Sequence, residues 1–150
     1  MADDAELRLK LVRGFSMNVP HNKALGIWIE DMQPRTALFR LPYDEKLVGN
    51  PDTGVLHGGA ITALLDGASG AAVFAALVAD FVPIATLDLR IDYLRPAEPQ
   101  RDVYARAHCY KMTKNVAFTR AVAYHDDEAN PIAHSVGTFM LSTKSGSIRK

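Results

Sequence analysis

The chain has little of what marks several common protein classes. Its 150 residues include one cysteine, Cys109, so no disulfide forms within the chain and a cysteine-based metal site is not expected. Its 17 basic residues are balanced by 17 acidic ones, so no overall field favours nucleic acid or an anionic membrane. The segment MADDAELRLKLVRGF begins with acidic residues and has no apolar core, so we do not expect a secretory signal there. These absences together favour a cytoplasmic protein.

One segment is long and apolar enough to be mistaken for a membrane span. Residues 58–79 carry a single charge, Asp66, and their length would suffice to cross a bilayer. However, the segment is rich in alanine and glycine, and a central aspartate costs about 2.5–3.5 kcal/mol on insertion scales. We therefore predict a buried helix of a soluble domain, whose small residues allow close backbone approach.

The rest of the chain is organised as strands around this helix. Residues 3–14 predict a short amphipathic helix with Leu7, Leu11 and Val12 on one side. Strand patterns follow at 24–32, 35–41, 85–94, 103–112, 116–125 and 132–141, and residues 42–56 are predicted as a loop. In the strand at 85–94, the alternation places Leu87, Leu89, Ile91 and Tyr93 on one face.

The order of these elements predicts an α+β domain over 1–150. Short links between successive strands imply antiparallel pairing, with the last four strands as a meander. A single helix buries itself by lying across one sheet face. We expect a curved antiparallel six-stranded sheet around one long central helix, with 1–19 as an N-terminal extension and 143–150 as a flexible tail.

The start of the central helix is a candidate for chemistry. His57, Gly58 and Gly59 precede the apolar run, and glycines without Cβ atoms let a ligand approach their N–H groups closely. These N–H groups have no partner within the helix and lie at the positive end of its dipole, where an oxygen gaining negative charge is stabilised. A tight turn that lets the helix pack on the sheet is the plainer interpretation.

Asp66 is the second candidate. Thr62, Asp66 and Ser69 follow helical spacing and form a narrow polar stripe on an otherwise apolar helix. Asp66 could lie at a solvated edge or pair with an arginine such as Arg90, but so thin a stripe favours a crevice. Asp66 is about 13.5 Å along the helix axis from His57, so one small reacting group cannot touch both within one chain. We expect the second group to come from another copy in a two-fold dimer.

The remaining histidines and the cysteine are interpreted as structural residues. His21, His108, His125 and His134 are scattered without the spacing of metal ligands, so core or surface histidines are expected and no metal site is predicted. Cys109 alternates with Ala105 and Ala107 on one strand face, which favours core packing.

The sequence resembles the hotdog-fold acyl-CoA thioesterases, in particular the PaaI-type (phenylacetyl-CoA thioesterase-like) branch of the 4-hydroxybenzoyl-CoA thioesterase superfamily. The resemblance lies in GVLHGGAITALLDGASG, in LDLRIDYLRPA at 87–97 and in AHSVGTFML on the last strand. It implies hydrolysis of an acyl-CoA thioester to free acid and coenzyme A by a homodimer or homotetramer, without a metal or bound cofactor. A small-molecule acyl-CoA is therefore the expected partner.

The resemblance also implies roles for individual residues. Asp66 matches the nucleophile or general base, and Gly58 matches the glycine whose N–H polarises the thioester carbonyl. His57 matches the loop histidine, and Asn50 resembles an asparagine that positions water or substrate, although Asp52 could occupy that place. A further set is expected to bind substrate: Gly59, Thr62, Ser69 and Thr86, the last at the position of a serine that assists across the dimer in some relatives.

Two other functions remain open at this point. A non-catalytic acyl-CoA-binding or sensing hotdog protein would share the fold, but it has no need of a carboxylate beside the thioester. A hotdog enoyl-CoA hydratase uses a catalytic histidine, and no histidine follows His57 on the predicted helix. Thiol release from a panel of acyl-CoAs distinguishes these functions from hydrolysis.

Overall fold

The computed structural model describes residues 2–77 and 82–142. Within these ranges the chain forms three α-helices and eight strands. In chain order they are α1 (Ala2–Met17), α2 (Pro20–Leu25), β1 (Trp28–Gln33), β2 (Thr36–Leu41), β3 (Val48–Asn50), β4 (Val55–Leu56), α3 (Gly58–Ala76), β5 (Ile84–Tyr93), β6 (Val103–Met112), β7 (Val116–Tyr124) and β8 (Ala133–Leu141), with a short 3-10 helix at Glu45–Leu47 before β3. The tail predicted for 143–150 lies outside the described residues.

Helix α3 forms the centre of the molecule. Its alanines and aliphatic residues pack against β2, β6 and β7, and Leu64, Leu65, Ala68 and Ala72 are fully buried. The helix is long and apolar enough to cross a membrane, but in this fold it is the core helix under a sheet, as predicted. The small side chains let the sheet backbone approach the helix closely.

Six strands form one antiparallel sheet in the order β1-β2-β6-β7-β8-β5. The α+β prediction of a six-stranded antiparallel sheet around one long helix is therefore confirmed. The predicted four-strand meander is wrong in one respect, because β5 pairs with β8 and β6 pairs with β2. The link between β5 and β6 has nine residues, 94–102, and this length lets the chain cross from β5 at the edge of the sheet to β6 beside β2.

Strand β5 is an edge strand with a bulge. Thr86 pairs with Phe139 and Asp88 pairs with Thr138, so Leu87 is an extra residue in the ladder. The predicted alternation placed Leu87 on the same face as Leu89, but the bulge shifts the register and turns Thr86 toward α3 instead. Leu87 remains 55% exposed.

The N-terminal region is more helical than predicted. The expected helix at 3–14 extends over α1, and the first residues of the strand predicted at 24–32 belong to α2. Helix α1 packs on β1 and α3. Val12 is buried there, whereas Leu7 and Leu11 are 57% and 61% exposed, so the predicted apolar face is wrong for those two leucines.

The segment predicted as a loop at 42–56 contains the small hairpin β3–β4, which leads into α3. Gly49 lies against His57 in this hairpin, and a Cβ at Gly49 would lie 2.8 Å from the His57 Cα. Gly54 has φ +74°, a left-handed conformation that favours glycine. The hairpin thus fixes the backbone just before the helix start.

Candidate active site

Asp66 is held in a defined orientation on α3. Its Oδ1 accepts a hydrogen bond of 2.9 Å from the Thr86 hydroxyl of the same chain. The alternative pairing with Arg90 does not occur, because Arg90 contacts Asp92 instead. Within the described ranges Oδ2 has no recorded partner, so one carboxylate oxygen is fixed by the protein and the other is available to a ligand.

Asp66 lines a cavity of about 250 Å³ between α3 and the N-terminal helices. Its walls are mostly apolar, so the carboxylate and a few other polar groups stand among aromatic and small side chains. The lining residues are Phe15, Ser16, Val19, His21, Asn22, Phe39, Ala63, Asp66, Gly67, Gly70, Ala71, Phe74, Ile84, Thr86 and Phe139. The crevice expected beside Asp66 is present, and Thr86 shares it.

At the start of α3, the Gly59 N–H is hydrogen-bonded within the protein, whereas the Gly58 N–H is not, among the described residues. His57 caps α3, and its Nδ1 accepts a hydrogen bond of 2.8 Å from the Gly59 N–H. No protein acceptor is recorded for the Gly58 N–H in the part of the chain that the structure describes. The Gly59 N–H is therefore occupied by the cap, whereas the Gly58 N–H can donate to a ligand oxygen at the positive end of the helix.

Tyr93 fixes the same helix start from β5. Its hydroxyl lies 2.8 Å from the Gly58 carbonyl oxygen and 2.6 Å from the Thr62 hydroxyl, which itself lies 3.1 Å from the same carbonyl oxygen, so the two hydroxyl protons are shared among these three contacts. The Thr62 hydroxyl, predicted to bind substrate, is therefore engaged with the backbone. Tyr93 was not among the predicted site residues, although it belongs to the LDLRIDYLRPA motif that carries the resemblance.

The remaining predicted residues lie away from the Asp66 cavity. Asn50 is exposed, and its Oδ1 accepts from the Asp52 N–H at 3.0 Å, which stabilises the turn of the β3–β4 hairpin. Ser69 is fully buried, lies outside the cavity lining, and its hydroxyl has no hydrogen-bond partner among the described residues. The structure thus brings together Asp66 and Thr86, and separately His57, Gly58, Gly59 and Thr62.

A second cavity, of about 310 Å³, opens beside the helix start. His57, Gly59 and Lys46 line it, and it shares His21 and Ala63 with the Asp66 cavity. His21 therefore lies on the wall between the two cavities. Sequence reasoning grouped His21 with the structural histidines, because nothing in its local spacing shows that α2 crosses this side of α3.

The other candidate groups are structural. Both ring nitrogens of His125 are hydrogen-bonded, one with the Asp102 carbonyl and one with the Glu98 N–H. Cys109 is fully buried, as predicted, and burial raises the pKa of its thiol. Across residues 2–77 and 82–142, no three histidine, cysteine or acidic side chains form a cluster that could hold a metal ion.

A sheet wrapped around one helix, with an acid on that helix and a glycine-rich helix start, defines the class of hotdog-fold thioesterases. The chain belongs to the thioesterase superfamily, which it matches over residues 53–132. It is 32% identical over 150 residues to the medium/long-chain acyl-CoA thioesterase YigI of Escherichia coli K12, covering 91% of this chain and 96% of that protein. The predicted enzyme class, a thioester hydrolase, is confirmed.

Solved structures agree with this assignment. A Pseudomonas aeruginosa protein is 48% identical, with a TM-score of 0.79 over 89% of this chain and 98% of that one. The PaaI protein of E. coli, from the phenylacetic acid degradation operon, is 20% identical with a TM-score of 0.79 over 94% and 95% of the two chains, and shares the fold. The predicted resemblance to PaaI-type hotdog proteins is confirmed.

Proposed function

We propose that this protein hydrolyses acyl-CoA thioesters in the cytoplasm, with Asp66 as the nucleophile or general base. The observation that carries the proposal is the lone carboxylate in a mostly apolar cavity, oriented through one oxygen by Thr86. The YigI relative, whose name describes the same reaction, supports it. A protein that only binds acyl-CoA would have no use for a carboxylate beside the thioester.

The site chemistry fits a thioester. Its sulfur leaves as a thiolate, whose conjugate acid has a pKa near 8.5, so the reaction needs little help from a general acid. The Gly58 N–H stabilises the oxyanion that develops on the carbonyl oxygen. As a general base, Asp66 accepts a proton from water as the water adds to the carbonyl carbon; the C–S bond then breaks, the free acid forms, and the proton passes to the departing thiolate of coenzyme A. As a nucleophile, Asp66 attacks the carbonyl carbon itself; the C–S bond breaks to give a mixed anhydride and the thiolate, and water then hydrolyses the anhydride to the free acid and the restored carboxylate. We propose that neither step uses a metal or bound cofactor.

We further propose that each site is shared between two protomers. Gly58 and Asp66 are eight residues apart on α3, about 12 Å along the axis, so one carbonyl group cannot contact both within one chain. The edge strand β5 presents exposed Leu87 and Tyr93, and Leu94 follows it. Pairing through this edge would give a two-fold homodimer with two equivalent sites. A pair of dimers could then form a homotetramer.

Asp66→Asn tests the reaction directly. We expect thiol release from a panel of acyl-CoAs with the wild type, and a fall in kcat of about a hundredfold or more in the variant, as for removal of a general base. Asp88→Asn is the matched control, because Asp88 is exposed on β5 and does not line the cavity. Label in the Asp66 carboxylate after single turnover in ¹⁸O-water would show direct attack, because water then hydrolyses the anhydride at the aspartyl carbon.

The same panel contains the outcomes that would contradict the proposal. Binding of acyl-CoA without thiol release would show a binding or sensing protein. Hydration of an enoyl-CoA without thiol release would show a hydratase. Undiminished hydrolysis by Asp66→Asn would remove Asp66 from the reaction.

A further inference from the structure

We infer that the Asp66 cavity is the acyl subsite of this protein and that Phe15, on the N-terminal helix α1, limits the length of the acyl chain it accepts. The inference rests on the proposed function for the identity of the ligand. It assigns a specificity-determining role to a residue outside the sheet-and-helix core that matches the family.

The cavity lining includes residues of α3 from Ala63 to Phe74, which span about 16 Å along the helix axis. Asp66 and Thr86 lie toward one end. Phe74 is eight residues after Asp66 on the same helix, about 12 Å further along the axis. The Phe15 ring meets the Phe74 ring edge to face, with 5.6 Å between centroids and 69° between planes. A thioester carbonyl placed beside Asp66 would therefore direct its acyl chain toward the Phe15–Phe74 pair.

The wall between these ends is apolar and kept open by glycine. A Cβ at Gly67 would meet the Phe39 ring at 3.4 Å, and a Cβ at Gly70 would meet the Phe139 ring at 3.6 Å. These are ordinary contact distances, so packing does not forbid a side chain at either position. Such a side chain would instead occupy cavity space, which makes the glycines consistent with room for a ligand.

The volume of the cavity limits the size of the acyl group that can bind. A cavity of about 250 Å³ has room for about eight groups of methylene or water size, at about 30 Å³ each. This suits a medium-length or aryl acyl group. Phe15 is 54% exposed, so one side of its ring lines the cavity and the other faces solvent. Truncation of Phe15 therefore opens the cavity outward, whereas truncation of a core residue would leave an enclosed void.

Binding of non-hydrolysable S-alkyl-CoA thioethers, from four to sixteen carbons, tests the inference by titration calorimetry. For the wild type we expect affinity to rise about fourfold per methylene, the value for full burial of a CH₂ group, and to stop rising near eight carbons. For Phe15→Ala we expect the rise to continue, with the twelve-carbon thioether bound at least about tenfold more tightly than by the wild type. Acyl-CoA hydrolysis is measured on the same proteins.

Two further variants complete the test. Leu11→Ala is the matched control, because Leu11 is an exposed residue of α1 outside the cavity lining, and it should keep the wild-type profile. Gly70→Ala should end the rise at a shorter chain, and it should fold because alanine favours the helix more than glycine does. An unchanged profile in Phe15→Ala would overturn the role of Phe15, and an unchanged profile in Gly70→Ala as well would overturn the acyl subsite. The expected binding profiles without any hydrolysis would overturn the proposed reaction but not the acyl subsite.

Discussion

At the scale of single residues, the hydrogen bond from Thr86 to Asp66 is the contact that turns an isolated carboxylate into a positioned one. The bulge at Leu87 creates this contact, because it brings Thr86 to the side of β5 that faces α3. Bulges beside active sites commonly redirect a side chain in this way. Thr86 thus acts on Asp66 of its own chain, where the resemblance suggested assistance across the dimer.

Thr86→Val should therefore lower kcat by about tenfold or more, because a hydrogen bond to a charged group contributes about 1.5–3 kcal/mol. Thr86→Ser keeps the hydroxyl and should retain most of the activity. The measurement is steady-state kinetics on the best acyl-CoA of the panel, with KM little changed. Equal activity of the valine and serine variants would show that the hydroxyl does not position Asp66.

Substitution of Ser69 distinguishes a substrate-binding role of this residue from a packing role. Its side chain is fully buried and its hydroxyl has no hydrogen-bond partner among the described residues. Since an unsatisfied buried polar group is costly, Ser69→Ala should raise the free energy of unfolding by roughly 1 kcal/mol and leave kcat/KM unchanged. Denaturant titration and kinetics measure both. A large loss of kcat/KM in a stable variant would instead support the predicted contact with substrate.

At the scale of secondary structure, the hairpin β3–β4 controls the helix start. A Cβ at Gly49 would lie 2.8 Å from the His57 Cα, and a backbone atom cannot move aside as the end of a flexible side chain can. Gly49→Ala should therefore displace His57, lower kcat and lower the melting temperature by several degrees, at about 2–4 °C per kcal/mol for a chain of this size.

Gly14→Ala is the matched control for this substitution. A Cβ at Gly14 meets no atom within 4 Å, and the residue lies in helix α1. The control should keep its activity and should not lower the melting temperature. If Gly49→Ala behaves in the same way, the hairpin does not fix the helix start.

The elements also show what the sequence could and could not predict. Strand β6 was predicted with the observed bounds, because alternating buried alanines such as Ala105 and Ala107 leave a clear period of two. The position of β5 beside β8 could not be read from local pattern, since strand pairing depends on where a nine-residue loop crosses the fold. The bulge at Leu87 was missed for a related reason, because Thr86-Leu87-Asp88 fits a regular strand equally well.

The residues of the candidate site also differ in whether the sequence could point to them. Asp66 and the glycines at 58–59 were identified because a single charge and a glycine pair stand out in an apolar helix. Phe15, His21 and Tyr93 were not identified as site residues, because their proximity to α3 depends on how α1, α2 and β5 pack against it. Chemistry carried by one element can be read from sequence, whereas chemistry assembled from several elements requires the fold.

At the scale of the whole molecule, the proposal of shared sites makes a prediction about mixed dimers. Asp66→Ala and Gly58→Pro should each be inactive alone. Proline is tolerated in the first turn of a helix, so Gly58→Pro removes the N–H donor while α3 can still form. In a heterodimer of the two variants, the intact Asp66 of one protomer faces the intact Gly58 N–H of the other, and the second site has lost both groups.

After subunit exchange, an equal mixture of these two variants should therefore recover about one quarter of wild-type activity, because half of the dimers carry one working site of two. A mixture of Asp66→Ala with Asp66→Asn cannot form a complete site and should stay inactive. Sedimentation and thiol release measure the dimer and its activity in the same samples. If exchanged heterodimers form and no activity returns, Asp66 and Gly58 do not act across the interface, and the roughly 12 Å between them on one helix would leave the Gly58 N–H without a part in stabilising the oxyanion.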